Sequence, residues 1–226
     1  MTASHSIPAQ TANRQARNAA ATLGLCLPGD TVLYLLLPLY AAGFGLSLPE
    51  VGVLLAANRL VRIAGYGWIS RLHARHGPRW LCCAAVLGSV ACALGYAALS
   101  GFWALLPLRL LWGLCYGAMN LALQALATSQ ADGAARRSGR AQALVAAGPM
   151  LALPLGAALA LHWGPRPIFG VLAGAALLAL PLARRLPHRR SGPPPSEPTR
   201  RLRRPGSLDV WSFVEGLTLD GLFIIG

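Results

Sequence analysis

Glu50-Val-Gly-Val-Leu-Leu-Ala-Ala-Asn-Arg59-Leu-Val-Arg62-Ile-Ala-Gly-Tyr-Gly-Trp-Ile-Ser70-Arg-Leu-His-Ala-Arg75-His-Gly77-Pro-Arg79 is the stretch whose reading decides the fold. Val51 to Ile69 is an apolar run. As a helix rising about 1.5 Å per residue it spans about 28 Å, close to the hydrocarbon thickness of a bilayer. Two arginines lie inside it, Arg59 and Arg62. A guanidinium keeps its proton at any relevant pH, so both enter the membrane charged. Charges at that depth persist facing a bundle interior or a wet cavity, usually beside a partner. The run passes directly into a basic hairpin at 71–79, which carries Arg71, Arg75 and Arg79.

Working outward, the whole chain has a membrane composition. Of its 226 residues 55% are hydrophobic and 12% charged, against about 25% charged in soluble domains. The net charge of +13 comes from arginine alone, with no lysine. Such a balance suggests a nucleic-acid binder, but the arginines sit in short loops between apolar runs rather than on one face, which excludes that class. The five cysteines lie in apolar runs without CxxC or Cys/His spacing, so neither disulfide nor metal is expected. Residues 1–19 contain Arg14 and Arg17 and no acid; they lack the apolar core and cleavage site of a secretory signal and read as a cytoplasmic tail.

Six apolar spans are expected, at about 20–44, 51–70, 80–99, 102–126, 141–163 and 167–183. Together they form one bundle over 20–183. A basic linker follows at 184–208, and residues 209–226 open a seventh span. The connections alternate in charge. The tail, the 71–79 hairpin, the 128–140 loop and the linker hold sixteen arginines; the loops at 45–50, 100–101 and 163–166 hold only Arg166. The positive-inside rule then places the N-terminus and the linker in the cytoplasm, in a bacterial plasma membrane. The linker, with Ser191-Gly-Pro-Pro-Pro-Ser-Glu-Pro and Arg200-Arg-Leu-Arg-Arg204, reads as extended chain. Its cluster serves either as a topology signal or as a contact with anionic lipid.

A tandem arrangement is also suggested. Asp30 lies just inside the first span, in Gly24-Leu-Cys-Leu-Pro-Gly-Asp30, and Asp220 just inside the seventh, in Glu215-Gly-Leu-Thr-Leu-Asp220. Parallel repeats of half-bundles are a transporter plan.

These features resemble the major facilitator superfamily. Its loop after the second span reads Gly-x-x-x-Asp-Arg-x-Gly-Arg-Arg/Lys. Here the segment is Ser70-Arg-Leu-His-Ala74-Arg75-His76-Gly77-Pro78-Arg79. Arg75, Gly77 and Arg79 match, while Ser70 and Ala74 replace the first glycine and the aspartate that latches the two halves in relatives. Arg109-Leu-Leu-Trp-Gly113 matches the family's Arg-x-x-x-Gly in the fourth span, an arginine linked to substrate or proton handling. Gly148-Pro149 and Pro154-Leu-Gly156 partly match the fifth-span pattern of antiporters. The resemblance implies an all-α membrane protein, a six-helix bundle with a truncated seventh helix, forming the first half of a twelve-span secondary carrier whose C-terminal half would be its missing partner. It implies a conformational gating role for Arg75, Gly77 and Arg79.

The candidate site follows from charge. Pro28-Gly29 loosens the first span and frees backbone groups toward a cavity beside Asp30. Burial favours the neutral form of a carboxylate, as proton coupling needs; a permanent ion pair with an arginine is the other reading. Arg59 and Arg62 share one helix face beside Asn58. With Arg109 they leave a positive excess over Asp30 and Asp220, suited to a carboxylate or phosphate held by a guanidinium fork. For Arg62 the alternative is snorkelling to the inner interface or pairing with loop acids. Residues 109, 113, 116, 120 and 124 make one stripe on the fourth span; Asn120 and Gln124 there line a pathway or hydrogen-bond between helices. No nucleophile–base set, phosphate loop or metal cluster is present, so neither an enzyme nor a cofactor is expected. The functional expectation is a proton-coupled secondary transporter of a small, anionic solute. Drug or metabolite efflux, and a truncated half-carrier that does not transport, are the alternatives.

Overall fold

The computed structural model describes residues 9–188. Asp220, the stretch expected to form a seventh span and most of the linker lie outside them. The described chain is helical throughout: α1 (Ala9–Leu39), a 3-10 turn (Ala41–Phe44), α2 (Leu48–Ala98), α3 (Phe102–Ala127), α4 (Ala134–Trp163), α5 (Pro165–Leu177) and a short α6 (Leu180–Arg184). α1 begins at Ala9, well before the span expected from residue 20, so much of the expected tail is helix. Five stretches are long and apolar enough to cross a membrane, α5 and α6 counting as one.

α2 differs most from expectation. Residues 71–79 are not a loop. Helix runs to both sides of a single non-helical residue, Gly77, with φ 77° and ψ 171°. That conformation is nearly closed to residues with a Cβ, and Pro78 suits the start of the next helix. The two arms reverse direction about it. On the first arm Val61, Gly65 and Ile69 meet Gly113, Leu114 and Gly117 of α3 in rising order; on the second, Gly88 and Gly95 meet Cys115 and Leu108 in falling order. Each arm is itself of crossing length, so the described residues hold six stretches of that length. Small residues carry these contacts, as in helix packing within lipid, where no hydrophobic drive favours association.

α1 and α4 cross closer still. Pro28 lacks the N–H that would bond the Gly24 carbonyl, leaving that oxygen outside the helix ladder. Gly148 of α4 packs directly against it: a Cβ at 148 would collide with the Gly24 oxygen, and a Cβ at 24 would lie 3.1 Å from the Leu144 oxygen. Backbone meets backbone, a geometry in which Cα–H groups can face the freed carbonyl.

The two ends of the bundle are built differently. At the arginine-poor end, Arg166 donates to the Gly43 carbonyl (3.2 Å) and the Ser100 hydroxyl (2.6 Å), and the Gly101 N–H donates to the Phe44 carbonyl (2.8 Å). Phe169 stacks edge-on against both Phe44 and Tyr96. α2 starts there with a cap in which the Ser47 N–H and hydroxyl both donate to the Glu50 carboxylate. At the other end the α3–α4 connection is organised by Arg137, which donates to the Ala127 carbonyl (2.9 Å), the Asp132 carbonyl (2.7 Å) and the Gln130 carbonyl. These are carbonyls at and just beyond the C-terminus of α3, where the helix has no partners of its own to offer. Arg137 is 8% exposed; it is a buried tie, not a solvated topology charge.

The α1–α4 crossing yields a stability prediction. Gly148→Ala forces backbone apart and should cost about 1–3 kcal/mol. Gly170→Ala, which adds a methyl to open space within α5, should leave stability unchanged or raise it by up to about 1 kcal/mol. Thermal unfolding of the purified variants in detergent compares them; equal melting points would refute the close crossing.

Candidate functional site

Asp30 lies two residues past Pro28 in α1, near the middle of the bundle, and is 7% exposed. Each carboxylate oxygen receives one guanidinium. Arg109 Nη1 of α3 is 2.5 Å from Oδ1, and Arg62 Nη2 on the first arm of α2 is 3.4 Å from Oδ2. Three helices therefore meet at one carboxylate. The two arginines are not equivalent: Arg109 is 1% exposed, while the Arg62 side chain is 26% exposed. The short buried pair is a charge-assisted hydrogen bond in a low-dielectric setting; the longer one is partly screened.

Aromatic rings hold both guanidiniums from the other side. Arg62 Cζ lies 3.9 Å from the centroid of the Tyr116 ring, and Arg109 Cζ 5.0 Å from that of Tyr34. Both fall within cation–π range. Asn58, fully buried, lies with its amide nitrogen 3.5 Å from the Tyr34 hydroxyl, and Gly113 lets α3 approach the Asn58 backbone. Each partner sits one or two turns from a charged residue: Tyr34 four after Asp30, Asn58 four before Arg62.

Charge and hydrogen bonding are incompletely balanced here. One carboxylate faces two guanidiniums, leaving the triad one positive charge in excess. Among the described residues, Arg109 Nε and Nη2, Tyr96 Oη, Trp112 Nε1 and Asn58 Oδ1 are buried without a hydrogen-bond partner. A cavity of about 10 Å³, bordered by Asp30, Ser89, Cys92, Tyr96 and Trp112, is large enough for about one water molecule. Buried donors without partners are costly. Arg109 and Trp112 thus hold buried donors without a described acceptor.

The sequence-predicted residues separate as follows. Asp30, Arg62 and Arg109 are brought together. Arg62 neither snorkels nor pairs with a loop acid, since its described ion pair is with Asp30. Arg59, one turn before Arg62, is half-buried and is not among the described ion pairs of Asp30. The stripe on α3 begins in the site, with Arg109, Gly113 and Tyr116, and leaves it towards Asn120, partly buried, and Gln124, exposed. Arg75 and Arg79 lie away from the triad, at the Gly77 break, where they border a hollow of about 430 Å³ with His76, Trp80 and Arg184. Sequence reasoning missed Tyr34, Tyr96 and Trp112. The available signal was spacing: each lies on an apolar helix within about one turn of a charge or packs against one that does.

The site and fold together define a polytopic α-helical membrane protein with a charged centre. A family model for the Major Facilitator Superfamily matches residues 20–225. The chain belongs to that superfamily, whose members are membrane transporters of small-molecule solutes rather than enzymes. No curated protein matches the chain.

Proposed function

We propose that the protein is a secondary active transporter that binds a small anionic solute and a proton together, with Asp30, Arg62 and Arg109 as the coupling centre. The observation that carries this reading is the single carboxylate shared by two guanidiniums, one of them fully buried. With Asp30 ionised the triad has net charge +1; with Asp30 protonated it has +2, and both forks lose their internal anion. A carboxylate or phosphate on the solute then replaces Asp30 as the partner of Arg109, held bidentately. Proton and anion favour each other's binding, and by linkage the effect is reciprocal. Such mutual dependence is the logic of symport. Arg59 and Asn120 flank the centre on α2 and α3 and are the further solute contacts in this reading; Asp220, outside the described residues, is proposed as a further coupling residue.

The Gly77 break, with Arg75 and Arg79, is proposed as the conformational element that moves as access alternates. The arginine-rich end faces the cytoplasm of a bacterial plasma membrane. A single cysteine at Ser100, in a cysteine-free background, should react with an impermeant thiol reagent added from outside, and one at Ser138 should not. The reverse pattern would invert the orientation.

The coupling is tested with the full-length gene product. A panel of small carboxylates and phosphates identifies a bound anion by thermal shift. Its affinity should rise as the pH falls, within the roughly 5–150-fold range of site coupling. Asp30→Asn, which fixes the neutral form, should bind tightly and lose the dependence. Arg109→Gln should lose binding, and Arg109→Lys should recover part of it, lacking the planar fork. An unchanged pH dependence in Asp30→Asn would refute the coupling role.

A further inference from the structure

A second basic cavity lies far from the Asp30 triad, between the N-terminal turns of α1 and α4. Its volume is about 470 Å³, and it is bordered by Gln10, Asn13, Arg14, Arg17, Arg140 and Leu144 among others. That is the size of a small-molecule site. Arg14 and Arg17 are three apart on α1, and Arg137 and Arg140 are three apart on α4, so each pair presents one face. The helices run in parallel, as the Gly24–Val145, Gly148–Pro28 and Gly156–Val32 approaches show. Both therefore begin at this end, and their N-terminal partial positive charges add to the side chains.

The arginines here have unequal duties. Arg137 is occupied with the carbonyls of the α3–α4 connection. Arg14, Arg17 and Arg140 are exposed and form no ion pair among the described residues. Asp132 borders an adjoining hollow with Asn13, Arg136, Arg137 and Arg140 and makes no ion pair among the described residues. Gln10 and Asn13 add amide donors at the rim. The floor, Ala16, Ala141 and Leu144, is apolar and leads into the membrane-crossing parts of both helices. Cationic forks beside an apolar lining match a phosphate with a short apolar attachment.

We propose that this cavity binds the phosphate of an anionic phosphodiester or phosphomonoester, gripped by Arg14, Arg17 and Arg140. An acidic phospholipid headgroup and a soluble organic phosphate share that chemistry. No residue is common to this cavity and the solute centre.

The test uses the full-length protein in detergent, with phosphatidylglycerol and glycerol 3-phosphate as probes and phosphatidylcholine as the zwitterionic reference. Native mass spectrometry reads lipid retention, and thermal shift reads the soluble phosphate. The Arg14→Gln/Arg17→Gln/Arg140→Gln variant should retain phosphatidylglycerol at least about fivefold less than wild type, the loss expected from even one arginine near the surface. The Arg71→Gln/Arg185→Gln variant removes exposed charges that border neither this cavity nor the hollow at the Gly77 break, and should lose clearly less retention than the cavity variant. The corresponding lysine triple should keep most of the binding. Loss of phosphatidylglycerol alone assigns the site to lipid; loss of the glycerol 3-phosphate shift alone assigns it to a soluble phosphate; loss of both leaves it open to either source. If the glutamine triple does not fold, single Arg140→Gln and the lysine triple carry the same comparison. Equal losses in the cavity and control variants, or no loss of either probe in the cavity variant, would overturn the proposal.

Discussion

A buried carboxylate shared between two guanidiniums is the constraint on which the rest of the structure depends. Arg109 cannot neutralise itself, so it is tolerated at 1% exposure only because Asp30 is 2.5 Å away. That contact fixes the rotation of α1 against α3, and Arg62 fixes the first arm of α2 against both. Position along the axis is set by different means. Pro28 frees the Gly24 carbonyl and Gly148 approaches it, so α4 seats against α1 a turn and a half before Asp30. A polar centre and a close backbone crossing on the same helix thus locate three neighbours, in a medium where apolar packing alone would not discriminate among them.

The ends of the bundle have complementary mechanical character. At the arginine-poor end, Arg166, Phe44, Phe169 and Tyr96 join the three connections into one packed knot. At the opposite end, α2 reverses at one glycine, and exposed arginines border hollows rather than filling them. A carrier that alternates access needs a part that stays together and a part that repacks. Hinges are a few terminal positions that absorb large backbone changes, and Gly77 has the backbone freedom for that.

Much of this was legible in the sequence, for physical reasons. Apolar runs of crossing length with arginine-rich and arginine-poor connections specify a membrane bundle, because lipid leaves the backbone few other options. Asp30, Arg62 and Arg109 stood out because charge within hydrocarbon is rare and must be answered. What was not legible is which charge answers which. Arg62 and Arg109 lie 32 and 79 residues from Asp30, and no local pattern encodes that choice. Arg137 and Arg166 were counted as topology charges, yet they tie connections together through carbonyl and hydroxyl acceptors that only the fold brings near. The Gly77 motif was recognised, but it marks a one-residue break in a helical run and not a hairpin loop.

The central claim is that Asp30 and Arg109 form one buried unit, and a double-mutant cycle tests it most directly. Asp30→Asn and Arg109→Gln should each cost about 3–5 kcal/mol of unfolding stability, because each leaves an unbalanced buried charge or an orphaned site. The double variant should cost no more than either single change, while Arg62→Gln, partly exposed and more distant, should cost less than about 1 kcal/mol. Additive losses in the double variant would contradict the account.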